Sequence, residues 1–384
     1  MHILFLCNEY PPSVHGGVGT FTQTLGRQLV ANGHRVTAVG VYTSGPYGRQ
    51  DDHGVTVIRI ESKGLYGLRS FTDARRMWSE VRRLVADEGV QVIDGPELAF
   101  SLAPKDLGVP CSIRMNGGHH FFFDADNAAV RPVRRWHELR SFRRADFYSA
   151  VSDYVAGKTE QLLDLHPDHV EILPNPIDTD WFRPHPEVAV EPGRILFVGS
   201  VCEKKGIRQL VAALPEIRDA VPSAHLVVAG RDTIDPTNGE SYTDGLRASL
   251  DDTVLAHVQF VGAVDHDSLP ELMAGAAVCA CPSHMEAQGI VWGEVMATGR
   301  PLVASSLGPG PAVVEDGVSG LLCDPHDPSA VARSVVAVLA DEQLGARLSA
   351  AARIDAVEKF SVERLAVVNE RWFETIISRY ADGT

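Results

Sequence analysis

"RILFVGSVCEKKGIRQLVAAL" (residues 194–214) opens with an apolar run, turns at Gly199, crosses a polar loop, and continues at helical spacing. An uninterrupted apolar run of this length is the mark of a strand buried on both faces of a parallel sheet. The same order stands at the start of the chain. "HILFLC" (2–7) is followed by a glycine-rich loop and by "GVGTFTQTLGRQLVANGH", which carries Phe21, Leu25, Leu29 and Val30 on one side. Between and beyond these two stretches the pattern repeats in "RVTAVGVY" (35–42), "VTVIRI" (55–60), "VQVID", "PCSIRM" and "FYSAVS". It resumes in "AHLVVAG" (224–230), "HVQFVGA" (257–263), "AAVCACPS" (276–283), "PLVAS" (301–305) and "GLLC" (320–323). Strands alternating with helical segments predict an α/β fold with doubly wound, Rossmann-like sheets.

The alternation breaks once. "LPNPIDTDWFRPHPEVAVEPG" (173–193) holds five prolines and little periodicity, which predicts a linker over 176–193. The expected organisation is an N-terminal Rossmann-like domain over 1–175 and a C-terminal one over 194–360, facing each other across a cleft. A closing helix, about 361–384, carries Leu365, Val368, Trp372 and Ile376 on one face and is expected to pack back on the first domain. In such sheets a ligand binds at the carboxyl ends of the strands.

The 384 residues are 45% hydrophobic, enough for two cores. A net charge of −15 argues against a nucleic-acid partner. The charge is uneven, −3 over residues 1–180 and −12 over 181–384, and lysine is scarce: six against 29 arginines, with Lys204 and Lys205 adjacent. The six cysteines form no CxxC and are expected as buried free thiols in a reducing compartment. The first residues hold too few apolar positions for a signal peptide. A cytoplasmic location is expected, and oligomeric state is left open.

Three places carry chemistry. In "EYPPSVHGGVGTF", Gly16, Gly17 and Gly19 open a helix and let backbone amides approach an anion. The dinucleotide fingerprint is incomplete, because Thr22 stands where its third glycine belongs, and this loop lacks the GKS or GKT of a P-loop. Lys205 stands at the mouth of the loop after a strand end, where an ammonium can neutralise a diphosphate. In "PSHMEAQGIVWGEVMATGRPLVAS" (282–305), Glu286 and Glu294 lie eight positions apart. Were the interval helical it would span ~12 Å, enough to grip two ends of one ligand, with the amides at Gly289, Ile290 and Val291 aimed at phosphates between.

Taken together, these stretches resemble the family 4 retaining glycosyltransferases of the GT-B fold, also called group 1 glycosyltransferases. The resemblance rests on "GGVG", "PNPIDTDWFRP", Lys205-Gly206, "PSHMEAQGIVWGEVMATGRPLV" and "EDGVSGLL", in the family's order. It implies a hexosyltransferase that takes a nucleotide-diphosphate sugar, a UDP- or GDP-sugar first, and needs neither metal nor further cofactor. The acceptor would be a small molecule or a glycan. By the same resemblance Glu286 hydrogen-bonds the sugar, Glu294 binds the ribose, Lys205 stabilises the leaving diphosphate, and Gly16 and Gly17 let backbone approach donor phosphates and acceptor. Ser200 replaces the family's usual arginine, with Arg231 as a candidate substitute. Asn116-Gly117 replaces its HG motif, with His119 or His120 as candidates for the sugar contact, and Ala312 stands where glutamate is common.

Two other readings of the same scaffold are a nucleotide-sugar hydrolase or epimerase and a non-catalytic nucleotide-sugar-binding protein. Six arginines between 131 and 144 offer a peripheral membrane contact. The favoured reading is a surface helix with Trp136, Leu139 and Phe142 packed inward.

Overall fold

The computed structural model describes residues 1–13, 16–63, 69–125 and 130–383; residues 14 and 15 of the expected glycine loop lie outside them. The chain divides into two compact units, Met1–Pro176 with Val362–Thr384, and Ile177–Ser361.

The first unit runs β1 (His2–Leu6), α1 (Gly17–Ala31), β2 (Arg35–Tyr42), β3 (Gly48–Asp52), β4 (Val55–Glu61), α2 (Arg69–Glu88), β5 (Val92–Pro96), β6 (Cys111–Met115), α3 (His119–Ala125), α4 (Pro132–Phe142), β7 (Phe147–Ala150), α5 (Asp153–Leu163) and β8 (Glu171–Ile172). Among the described residues its sheet has the order β3-β4-β2-β1-β5-β6-β7-β8, parallel except for β3 against β4. β1 is buried along its whole length, because helices cover both faces of a doubly wound sheet. Strand order reverses between β1 and β5, where ligands gather in such folds. Phe5, Phe21, Leu25 and Leu29 form the core with Trp372, Phe373 and Ile376 from the closing helix.

The second unit runs β9 (Arg194–Val198), α6 (Ile207–Ala220), β10 (His225–Ala229), α7 (Tyr242–Ala248), α8 (Asp252–Leu255), β11 (Val258–Gly262), α9 (Leu269–Ala274), β12 (Val278–Cys281), α10 (Ile290–Ala297), β13 (Leu302–Ser305), α11 (Gly310–Val313), β14 (Leu321–Cys323), α12 (Pro328–Ala340) and α13 (Glu342–Phe360). α14 (Val362–Ala381) belongs to the first unit. The second sheet has the order β11-β10-β9-β12-β13-β14, all parallel, and its order reverses between β9 and β12. Caps place the helices: Asp327 accepts from the Ser329 amide at 3.0 Å and Asp341 from the Leu344 amide at 3.0 Å.

Three expectations need correction. Residues 177–193, expected as a linker, pack with the second unit. Ile177 and Phe182 are buried in its core, the Ile177 amide donates to the Phe360 carbonyl at 2.7 Å, and Arg353 donates to the carbonyls of Thr179 and Phe182. Prolines interrupt periodicity without preventing burial. Trp136, expected inward, is 53% exposed. α4 buries Glu138, Ser141 and Phe142, spaced i, i+3, i+4, and residue 136 lies on the opposite side of that stripe. Glu138 takes an inward place because it pairs with buried His120. Cys202 is half-buried; the other five cysteines are buried, and all six are free thiols.

Candidate active site

In the second unit, the loops after β9 and β12 flank the point where strand order reverses. Lys205 ends a short 3-10 turn, Glu203–Lys205, in the first loop. Glu286 lies in the second. The two meet: the Lys205 ammonium donates to Glu286 Oε1, which also accepts from the Ser283 hydroxyl at 2.8 Å. Backbone contacts lock the loops together. The His284 amide donates to the Lys204 carbonyl at 2.9 Å, and a Cβ on left-handed Gly206 would stand 1.9 Å from the Pro282 oxygen, so the chain can pass there only as glycine. Burial works to lower the Lys205 pKa; the charge and hydrogen bond of Glu286 outweigh it and hold the ammonium above its ordinary value. The lysine side chain stays 24% exposed and that of Glu286 12%, so both remain reachable from solvent.

The interval between the two glutamates is not one helix. A loop runs to Gly289, whose left-handed backbone (φ 85°) begins α10. Trp292 makes the first bond of the helix, to the Gly289 carbonyl at 2.9 Å. The amides of Gly289, Ile290 and Val291 therefore lie ahead of the helical ladder, at the positive end of its dipole. The Trp292 indole fixes this start by donating to the Cys281 carbonyl at 3.0 Å. Glu294 follows inside α10 with a side chain 7% exposed. Its carboxylate faces His266, Nε2 to Oε1 at 3.5 Å, an ion-pair distance at the outer limit of hydrogen bonding. A carboxylate so buried and with so much acceptor capacity left over suits a ligand rich in hydroxyls.

Ser200 is half-buried at the end of β9. Arg231 is exposed after β10, and its carbonyl accepts from the Val201 amide at 2.9 Å. That bond sets the Arg231 backbone beside the loop that carries Ser200. Ala312 is exposed on α11.

In the first unit, Gly16 caps α1 and both it and Gly17 are exposed. An anion of the chain itself already sits there: Glu9 Oε1 accepts from the Gly19 amide at 2.8 Å. The sequence reading missed Glu9, although an acid just after the first strand and before a glycine loop is a usable signal. Asn116 follows β6. Its amide donates to Glu97, and its side chain donates to the Arg114 carbonyl at 2.9 Å. The histidine pair divides. His120 is buried with Nδ1 on the Glu138 carboxylate. His119 is half-buried, edge-on to Phe123 at 6.1 Å, and burial lowers its pKa. Glu97 is buried, which pushes its carboxyl up to about 8 with Glu138 adding to the rise, against backbone amides that hold it down.

The comparisons follow the same division. A model described as glycosyl transferases group 1 matches residues 192–341, and one described as Glycosyltransferase Family 4 matches residues 15–181. The chain belongs to the family 4, or group 1, glycosyltransferases. This glycosyltransferase is 27% identical over 394 residues to a glycogen synthase of Mycobacterium tuberculosis, covering 95% of this chain and 92% of the other. It is 29% identical over 377 residues to a GDP-mannose-dependent alpha-(1-6)-phosphatidylinositol monomannoside mannosyltransferase of the same organism, covering 91% and 92%. Among solved structures it is similar to sucrose-phosphate synthase from Thermosynechococcus elongatus, with TM-score 0.81, 20% identity and coverage of 98% and 99%. Anabaena HepE, in a complex with UDP and glucose, matches with TM-score 0.77, 18% identity and coverage of 98% and 100%. The fold is GT-B, two Rossmann-like α/β units. No helix of the described residues is long and apolar enough to cross a membrane.

Proposed function

We propose that this glycosyltransferase moves a hexosyl group from a nucleoside diphosphate sugar, UDP- or GDP-linked first, to a hydroxyl of a small-molecule or glycan acceptor, with retention at the anomeric carbon and without a metal. The reading is carried by the meeting of Lys205 and Glu286 at the reversal of strand order, with a buried, under-bonded Glu294 in the next helix. Lys205 neutralises the diphosphate as it leaves, aided by the amides of Gly289, Ile290 and Val291. Glu286 accepts from hydroxyls of the sugar, and Glu294 from those of the ribose. Ser200 and Arg231 border the phosphates. In the first unit Gly16, Gly17, Asn116 and His119 are the candidates for the acceptor side and the donor phosphates. Bond-making asks for no protein nucleophile: the acceptor oxygen attacks the anomeric carbon on the face the diphosphate leaves, and a phosphate oxygen takes the acceptor proton. In the free chain Lys205 and Glu286 satisfy each other, so ligand entry exchanges one ion pair for a phosphate on Lys205 and hydroxyls on Glu286.

Thermal shift with UDP, GDP, ADP and dTDP and their sugars tests donor binding, since a ligand of the native state stabilises by mass action. At least one nucleotide should raise Tm; no shift with any of them overturns the proposal. With a working donor and acceptor, Glu286→Gln should lower kcat/KM by roughly 10–100-fold, the scale of a lost charge-assisted hydrogen bond to a sugar hydroxyl. Glu294→Gln should act mainly on donor KM. A product of inverted anomeric configuration by NMR would remove the retaining part of the reading.

A further inference from the structure

His266 begins a short 3-10 turn, His266–Ser268, between β11 and α9. Its Nε2 is shielded from water and makes no short hydrogen bond. The Glu294 carboxylate 3.5 Å away is close enough for an ion pair and stands at the outer limit of hydrogen bonding. The ring is seated edge-on against Phe182, centroids 5.3 Å apart and planes at 78°. The charges that bear on it most are acidic: Glu294 from α10, Asp267 on its own turn, and Asp178 from the segment leading into the second unit. Its long hydrogen-bonding contact with Glu294, against the opposing effect of burial and with the Glu294 charge adding to it, holds the imidazole above its ordinary pKa.

We infer that His266 is a positioning residue for the nucleotide: its imidazolium holds one oxygen of Glu294 and keeps that buried carboxylate aimed at the ribose diol. The inference rests on the reading of Glu294 as the ribose acceptor. Chemically the two contacts are compatible. Each carboxylate oxygen has two lone pairs, so a histidinium on Oε1 leaves room for both ribose hydroxyls. A buried carboxylate without a counter-charge is costly, and among the described residues His266 is the ion-pair partner Glu294 has. The imidazolium is thus part of the binding-competent state. By linkage, nucleotide binding and protonation of His266 favour each other to the same extent. The sign follows from the raised pKa: His266 keeps its proton through the ordinary imidazole range, nucleotide affinity is full below its pKa, and affinity falls as pH climbs through it.

The test uses the full chain and whichever of UDP, GDP or ADP binds it, measured by calorimetry from pH 5.5 to 9, with the matching 2′-deoxynucleotide as control. Wild type should weaken about 10-fold over the alkaline half of that range, the scale of one charge-assisted contact. His266→Gln should bind about 10-fold more weakly at low pH, show a flat profile, and discriminate less against the 2′-deoxynucleotide. In turnover its loss should fall on donor KM more than on kcat. The His266 ring signal in NMR should titrate above the usual imidazole range, move higher with nucleotide bound, and drop in Glu294→Gln. A His266→Gln profile parallel to wild type, with Glu294→Gln still weakening binding, overturns the role of His266 and leaves the ribose reading standing. Unchanged nucleotide affinity in Glu294→Gln overturns the ribose reading and this inference with it. Wild-type melting behaviour of each folded variant guards against a trivial loss.

Discussion

At Gly289 the backbone has φ 85°, and a Cβ there would stand 2.4 Å from the Trp292 ring. Gly289→Ala therefore meets two penalties, left-handed strain and a clash with a fully buried indole, together about 2–4 kcal/mol. The expected result is a lower urea midpoint for the second unit and weaker nucleotide binding, because the amides that open α10 shift with the indole. At this scale the sequence was informative where chemistry shows as residue type and spacing. Glu286, Glu294, Lys205 and Gly289 could be singled out on those grounds. His266 could not: it is 28 positions from Glu294, and nothing along the chain links a lone histidine to a glutamate in a later helix. Glu9 did leave a signal in its place between the first strand and the glycine loop; folding adds that its carboxylate lies on the Gly19 amide.

The elements sort by how they are buried. Central strands such as β1, β9 and β12 are covered on both faces, so each reads as an unbroken apolar run. β3 escaped notice because it is a polar edge strand, Gly-Arg-Gln-Asp-Asp, mostly exposed. α4 misled because an inward glutamate, satisfied by His120, holds a place that a hydrophobic pattern assigns to an apolar side chain. β6 carries the converse case, Arg114, buried in a strand. Its Nε donates to Asp94 on β5 at 2.9 Å, its Nη2 to Asn369 on α14 at 2.7 Å, and its guanidinium lies 4.6 Å from the Phe21 ring centroid on α1. Arg114→Ala leaves the Asp94 carboxylate buried without its counter-charge and should cost about 3–5 kcal/mol. Urea denaturation should show this loss in the first unit, and Asp94→Asn added to Arg114→Ala should recover part of it.

At the scale of the whole molecule the chain is discontinuous: the first unit is completed by residues 362–384, after the second unit has been built. α14 supplies Trp372, Phe373 and Ile376 to the first core, all nearly free of solvent contact. Each such side chain contributes about 1.5–3 kcal/mol by burial. A chain ending at Ser361 should therefore lose cooperative folding of its first unit by circular dichroism. Residues 177–361 expressed alone, with their own cores, should melt cooperatively and still bind a nucleoside diphosphate by calorimetry. A first unit that stayed folded without α14 would contradict this account of its core.

The sequence by itself determined the α/β class, the placement of most strands and the residue types able to handle a phosphorylated sugar. These depend on local patterns of burial and on side-chain chemistry, which the order of residues carries directly. Tertiary structure alone decided that Lys205 meets Glu286, that Glu294 is buried beside His266, that Glu9 occupies the opening of α1, and that 177–193 belongs to the second unit. Each of these is a contact between segments far apart along the chain, set by the order of strands in a sheet and the packing of helices on it.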